Sequence, residues 1–355
     1  MTSQASKTSD GDAYREAGVD IDLSQTLLGR AKAKLAAATR PEVLGGIGGF
    51  GGLFQLDVSA VREPVLVSSV DGVGTKLMVA AMMDDHSTVG FDIVHHCIND
   101  IAVQGAAPLW FMDYLGIGAL RSPLYEQVLE GLAEACRAQN VALLGGETAE
   151  MPGMYGDDYD LVGCITGVVD KACLLTGERI APGHVAVGLA SNGLHTNGYS
   201  LARKALFDSG GLTVQDTPPG LGETIGEALL KPHTCYWPAI CELRKREVPL
   251  DGMAHITGGG LYDNVPRVLP QSCRCEFRKD ALPVPPIFER IRRHGSVSER
   301  EMFRVFNMGI GMVWFVPEGS ENAAVEAAHA AGNQAAVVGQ VVAGHGDVAV
   351  QGIDA

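Results

Sequence analysis

Residues 64–77 read PVLVSSVDGVGTKL. The branched run over 64–70 predicts a buried β-strand, and Asp71 and Gly72 break it. Residues 76–83 then read as a helix, so the DGVGTK loop joins a strand end to a helix start, where free backbone amides point outward. Downstream, 89–105 reads as a helix, LWFMDYLGI (109–117) as a strand and PLYEQVLEGLAEACRAQ (123–139) as a helix with Pro near its first turn. VALLGGE (141–147) and DLVGCITGVV (160–169) supply two more strands. Upstream, a helix capped at Ser24 carries Leu27, Leu28, Ala31 and Leu35 on one face and stops at Pro41. Strands apolar enough to be covered by helices on one face make an α+β or α/β domain that ends near residue 170.

The second half repeats this mixed style. LLTGERIAPGH (174–184) marks the boundary, and the strand VAVGLAS (185–191) opens a second α+β domain. Its helices are expected at 198–209, 222–230, 234–246, 261–268, 285–294 and 320–331, with strands near 253, 274, 310 and 335. The expected domains are 1–172 and 173–345, in keeping with 355 residues at roughly 150 per domain. Composition narrows the function. The 27 basic and 42 acidic residues leave a charge of −15, which argues against nucleic acid as a partner. A run of about 20 apolar residues is absent and the start MTSQASKTSDGDAY lacks signal-peptide character, so no membrane partner and a cytoplasmic location are expected. The eight cysteines lie mostly in apolar runs without metal-ligand spacing and read as small buried hydrophobes.

The 45 glycines have no collagen period and must serve particular backbone positions. GGIGGFGG (45–52) can cover phosphates through Gly45, Gly46, Gly48 and Gly49, or can be a plain linker. In DGVGTK, Asp71 suits Mg2+, the amides of Gly72, Gly74 and Thr75 suit anionic oxygens, and Lys76 adds a positive charge. The competing reading is a capped turn. In CINDIAVQGAAPLWF (97–111), Asp100 inside an apolar helix needs a partner or a cation, and Asn99 shares its placed look. Asp92 reads as a helix-start cap. Glu147 and Glu150 follow a Gly-Gly turn at a strand end in LLGGETAEMPGMY (143–155). In GLASNGLHTNGYS (188–200), Asn192, His195 and Asn197 sit in a glycine-punctuated loop before a helix, a setting for phosphate binding or for a structural histidine. HITGGGLYDNVPRVLP (255–270) carries Gly258, Gly259 and Gly260 as an anion nest, and FNMGIGMVWFVP (306–317) reads as a strand.

In this order the segments resemble those of the phosphoribosylformylglycinamidine cyclo-ligase (AIR synthetase) family, from YREAGVDID at 14 to the last strand near 342. Asp100, Gly105, Ala106 and Pro108 match the family's Asp-x4-Gly-Ala-x-Pro signature, and RPEVLGGIGGFGG, DGVGTKL, GGETAEMPGMY, TNGYSL, HITGGG and FNMGIGM look like their counterparts. The resemblance implies ATP and Mg2+ as cofactors and a homodimer built by pairing N-terminal sheets. It also implies ring closure of formylglycinamidine ribonucleotide: ATP phosphorylates the formyl oxygen, a nitrogen attacks that carbon, and phosphate leaves. Asp71 and Asp100 would be Mg2+ ligands with Glu147 as a third, and Lys76 and the 45–52 loop would clamp the phosphoryl group. His195 would assist proton transfer or bind phosphate, while Asn192, Asn197 and Gly258–Gly260 would hold the ribose phosphate. Two alternatives within the superfamily are a small-molecule kinase and a silent nucleotide-binding partner subunit.

Overall fold

A computed structural model describes residues 12–46, 49–59, 61–281 and 283–354. The branched run at 64 forms β1 (Pro64–Gly72), preceded by helices α1 (Asp12–Glu16) and α2 (Ile21–Ala37). Helices α3 (Lys76–Met83) and α4 (Val89–Ala102), strand β2 (Ala107–Ile117), helix α5 (Leu124–Ala138) and strands β3 (Ala142–Glu150) and β4 (Tyr159–Asp170) complete the first domain. Its four-stranded sheet has the order β1-β4-β2-β3, with β2 and β3 parallel across the α5 crossover and the other pairs antiparallel. Alternation along β1 turns Val67 and Ser69 toward α4, while Leu66, Ser68 and Val70 point the other way. On that second face Leu66, Val70 and Met112 are exposed and no helix among the described residues covers them, whereas Phe111, Leu115 and Ile165 are buried beneath α4 and α5.

The helical layer owes its tightness to glycine. A Cβ on Gly90 of α4 would lie 2.3 Å from Leu132 N of α5, so only glycine permits this close crossing. Some of the glycine excess therefore belongs to packing.

The second domain contains β5 (Val185–Ala190), α6 (Tyr199–Arg203), α7 (Ile225–Leu230), α8 (Trp237–Lys245), β6 (Gly252–His255) and α9 (Gly260–Asn264). It continues with β7 (Cys273–Arg278), α10 (Pro286–Gly295), α11 (Glu299–Val305), β8 (Ile310–Val316), α12 (Glu321–Ala330), β9 (Ala335–Ala343) and β10 (Asp347–Gln351). The six-stranded sheet runs β10-β7-β9-β5-β8-β6. Every residue of β8 is buried: Met312, Trp314 and Val316 pack with α8 and α12, and Val313 and Phe315 pack on the opposite side with α9.

The structure departs from the expected elements in identifiable ways. Helix α2 is capped by Asp20, whose carboxylate accepts from Leu23 N at 3.0 Å, rather than by Ser24. Helix α11 has no counterpart among the expected helices, because EREMFRV buries only Met302 and Phe303 and shows no sustained apolar stripe. Strand β10 carries the second sheet past residue 345, pairing in parallel with β7. Cys97, Cys136, Cys273 and Cys275 are buried as expected, but Cys164, Cys173 and Cys241 are exposed.

Candidate active site

Strand β1 delivers Ser69 and Asp71 to the seam between the domains, and α4 delivers His96 and Asp100 one turn apart. The end of β6 adds His255 from the other domain. His96 Nε2 lies 3.2 Å from Asp71 Oδ2 and 3.6 Å from Asp100 Oδ2, so both carboxylates converge on one imidazole. His255 Nδ1 is 2.8 Å from Asp100 Oδ1, and Ser69 Oγ donates to Asp100 Oδ2 at 3.1 Å. Beyond the carboxylates the network closes on itself. His96 Nδ1 meets Thr196 Oγ1 at 2.7 Å, Thr196 Oγ1 meets His233 Nδ1 at 3.4 Å, and His233 Nε2 meets His255 Nε2 at 3.0 Å. Burial opposes charge on Asp100, but the hydrogen bond from His255, the nearby imidazoles and Ser69 prevail and lower its pKa to about 2. Burial likewise opposes the His96 cation, yet the Asp71 hydrogen bond and the Asp100 charge raise its pKa above the ordinary histidine value. Asp100 and His255 line a cavity of about 490 Å³ between the domains, which Ser69, Thr257 and Arg267 also face.

Lys76 does not serve as a free phosphoryl clamp. It is fully buried, and its ammonium donates to Asp92 Oδ1 at 2.8 Å, Lys231 O at 2.7 Å and His195 O at 3.2 Å, which uses all three donors. Asp92 is accordingly a buried counter-ion rather than a cap, and it also accepts from His233 N at 2.7 Å. Asn99 donates to Thr234 O and accepts from Tyr236 N, both at 2.9 Å, and so joins α4 to the segment before α8. These bonds fix the second domain against the first.

His195 adopts φ +62° and stacks on His233 at 4.1 Å between ring centroids. Its ring nitrogens have no hydrogen-bond partner among the described residues, and burial, with His255 and Lys76 nearby, drives its pKa well below the ordinary value. The neutral ring faces His233 rather than solvent. Asn192 donates to Pro232 O at 2.8 Å, and Thr75 Oγ1 meets Ser200 Oγ at 3.2 Å across the domain seam. Gly72 donates to Asp71 Oδ1, and Gly74, at φ +69°, turns the chain into α3.

The 255–260 segment divides two cavities. Gly258 and Gly259 open onto one of about 700 Å³ lined also by Asp263, Ser298, Arg300 and Arg304, and a Cβ on Gly258 would touch Asn197 Oδ1 at 3.2 Å. Asn264 shapes this turn by donating to Thr257 O, Gly258 O and Gly260 O. Gly260 is different. A Cβ there would fall 2.0 Å from Phe303 O, so this glycine serves packing against α11 and does not line the cavity.

The other predicted group lies elsewhere. Gly46, Gly49 and Glu147 line a cavity of about 300 Å³ with Asp113 and Tyr125, and Gly45 lines an adjoining one. Gly48 falls outside the described residues. Because β3 stands three strand spacings from β1, about 14 Å at ~4.8 Å each, the structure does not bring Glu147 to Asp71 and Asp100 as a third ligand. Glu150 is structural, accepting from Leu120 N and Asp20 N. The residues that sequence reasoning missed are His96 and His233, together with any role for His255. The i,i+4 spacing of His96 and Asp100 was a readable signal; His233 had none.

The two α+β domains match a known class. The AIR synthase related protein N-terminal domain model matches residues 57–169 and the C-terminal domain model matches 181–351, and the chain belongs to this class. A phosphoribosylformylglycinamidine cyclo-ligase of Desulfatibacillum aliphaticivorans is 49% identical over 332 residues, 93% of this chain and 95% of that protein. One from Bacillus mycoides is 47% identical over 343 residues, 96% and 99% of the two chains. The chain belongs to the phosphoribosylformylglycinamidine cyclo-ligase family. Among solved structures, thiamine-monophosphate kinase from Stenotrophomonas maltophilia shares the fold with a TM-score of 0.67 at 19% identity, covering 93% of this chain and 96% of that one. The hydrogenase maturation protein HypE in complex with ATP gives 0.64 at 18%, covering 95% and 93%. Among the described residues no helix is long and apolar enough to cross a membrane.

Proposed function

We propose that this chain closes the imidazole ring of 5-aminoimidazole ribonucleotide from formylglycinamidine ribonucleotide, with ATP converted to ADP and phosphate. The observation that carries the site assignment is the convergence of Asp71 and Asp100 on His96 Nε2 at the domain seam. Two carboxylates that converge in this way fit Mg2+, which takes oxygen ligands and keeps several waters. Such a cation would neutralise charge on the transferring phosphoryl group.

The chain's own residues then divide the work. The amides of Gly74 and Thr75 face the nucleotide phosphates, while Gly72 N stays bonded to Asp71 Oδ1 at the turn, and Gly45, Gly46 and Gly49 form the covering loop. Gly258 and Gly259, beside Arg300 and Arg304, take the ribose phosphate, with Asn192 and Asn197 on its flank. His195 positions His233 by stacking, and through it the imidazole ring system at Asp100. The formyl oxygen attacks the γ-phosphorus and ADP leaves; the amidine nitrogen then bonds to the formyl carbon as the C–O bond breaks and phosphate departs. The nitrogen's proton passes to a base at the seam. A homodimer fits the uncovered face of the first sheet, where Leu66, Val70 and Met112 lie exposed, and the reading carries with it a cytoplasmic enzyme.

Incubation with ATP, Mg2+ and formylglycinamidine ribonucleotide tests this reading. Aminoimidazole ribonucleotide and ADP should form together. ADP and a phosphorylated, unclosed product would instead identify a small-molecule kinase, and neither product would identify a silent partner subunit.

A further inference from the structure

Strand β10 and the turn after it lie beyond the expected second domain, yet they reach two side chains that line the cavity of Gly258 and Gly259. The turn closes where Asp354 N donates to Val350 O at 3.0 Å. Asp354 Oδ2 accepts from Val350 N at 2.9 Å and from the Tyr262 hydroxyl at 2.6 Å, so this oxygen is tied both to β10 and to α9. Its second oxygen meets a cation. Oδ1 lies 3.4 Å from Arg300 Nε, and the guanidinium carbon stands 5.9 Å from the centre of the Tyr262 ring. The Arg300 side chain is 73% exposed and that of Asp354 only 23%, so the carboxylate is the fixed member of the pair and the guanidinium the one that is held.

We propose that Asp354 is a positioning residue, which holds Arg300 at the cavity of about 700 Å³ with its Nη donors turned to the phosphate of the substrate. The inference rests on the reading that this cavity takes the ribose phosphate, and adds the group outside the cavity that orients one of its two arginines.

Two features support it. The charged lining of the cavity balances, Arg300 and Arg304 against Asp263 and Glu301, so net charge alone does not draw a phosphate in. Recognition then depends on where the guanidinium forks point. The second feature is the side from which the carboxylate approaches. Contact at Nε leaves the four Nη hydrogens to a ligand, and an arginine already held gives up less rotamer freedom when that ligand arrives. Repulsion between Asp354 and the phosphate acts the other way, but at so exposed a site it is screened by solvent and salt.

The test is a double-mutant cycle on the full chain. Formylglycinamidine ribonucleotide is titrated calorimetrically with Mg2+ and a non-hydrolysable ATP analogue present, and KM and kcat are followed in parallel. Asp354→Ala should weaken binding roughly threefold, the scale of an exposed ion pair, and raise KM with kcat unchanged. Arg300→Ala should weaken binding roughly tenfold, and adding Asp354→Ala to it should change nothing further. If Asp354→Ala lowers the thermal midpoint, Tyr262→Phe decides instead: it keeps the ring, removes one bond to the carboxylate, and should shift binding the same way by a smaller factor that also vanishes without Arg300. Unchanged binding in the deciding variant, tighter binding, or an equal loss in the Arg300→Ala background overturns the proposal. Arg304→Ala separates it from the reading beneath. A loss there with none in the deciding variant refutes the positioning role alone, whereas wild-type binding in both Arg300→Ala and Arg304→Ala refutes the phosphate assignment and the positioning role with it. A wild-type chain that does not bind the ribonucleotide refutes the substrate as well.

Discussion

The two edges of the first sheet are built on opposite plans. At the β1 edge, Asp71, His96, Asp100, His255, Thr196 and His233 are fixed by one another, and the Lys76–Asp92 pair beneath them ties both domains together. At the β3 edge, Leu44 N donates to Leu53 O across the base of the 45–52 segment, and Phe50 stands fully in solvent. On the proposed function, the difference separates two tasks. Groups that meet developing charge gain from being fixed before the reaction, whereas a loop that admits and covers a nucleotide has to open, and low local stability permits that.

The largest effect is expected where the fixed edge is anchored. Lys76→Met removes one member of a fully buried pair and leaves Asp92, whose Oδ2 already lacks a partner, as an uncompensated charge. Breaking a buried pair in this way costs about 3–5 kcal/mol. Urea unfolding should show that loss, and a cost under ~1 kcal/mol would mean the ammonium does not hold the seam. Next comes Asp100→Asn, which keeps shape but removes the charge on which His255, His96 and Ser69 converge. Turnover of the cyclisation should fall roughly 10²–10³-fold, the scale for losing a placed electrostatic group. Wild-type turnover would remove Asp100 from the chemistry.

Most of this fold was legible because period and punctuation agreed: the strand at 64 and the helix at 76 follow directly from a branched run and the glycines after it. The site was half legible. Asp71 stood out at a strand end before a glycine turn and Asp100 as a charge inside an apolar helix, and Asp100 kept that meaning in three dimensions. Lys76 misled for a physical reason, since a lysine after a glycine turn looks the same in sequence whether it meets a phosphate or a buried aspartate sixteen residues on. His233 was invisible, because its neighbours His195 and His255 are brought to it only by the packing of the second domain. Gly90 and Gly260 show the same limit, as their need for a missing side chain depends on α5 and α11 arriving at close range.

A smaller effect follows from buried neutral imidazoles on the fixed side of the molecule. His195 and His86 are both buried, and burial lowers the pKa of each below the ordinary histidine value of about 6.5. The unfolded chain therefore takes up protons first as pH falls. Their contribution to stability is complete above about 6.5 and is lost progressively below it. The thermal midpoint should drop between about pH 7 and pH 5, partly offset by His96, whose raised pKa acts in the opposite sense. His86 sits beside Tyr159, 2.8 Å from its hydroxyl and apart from the Asp71–Asp100 cluster, with Asp84, Arg121 and Asp85 as its charged neighbours, so His86→Gln isolates one contribution. A pH slope unchanged in that variant would show that His86 titrates alike in both states.

The mildest substitutions give the sharpest reading of the open edge. A Cβ added at Gly45 or Gly46 meets nothing within 4 Å, whereas one added at Gly52 would lie 2.3 Å from Leu144 Cγ. Gly52→Ala should therefore cost about 1–3 kcal/mol through overpacking. The double variant Gly45→Ala, Gly46→Ala should leave stability within roughly 0.5 kcal/mol. If the loop only links α2 to β1, that double variant is silent in every assay. If it closes over the nucleotide, two added methyls restrict the backbone just where phosphate oxygens must approach, and KM for ATP rises several-fold while the thermal midpoint stays put. An unchanged KM would reduce the 45–52 loop to a linker and leave the amides of the DGVGTK turn to meet the nucleotide phosphates without it.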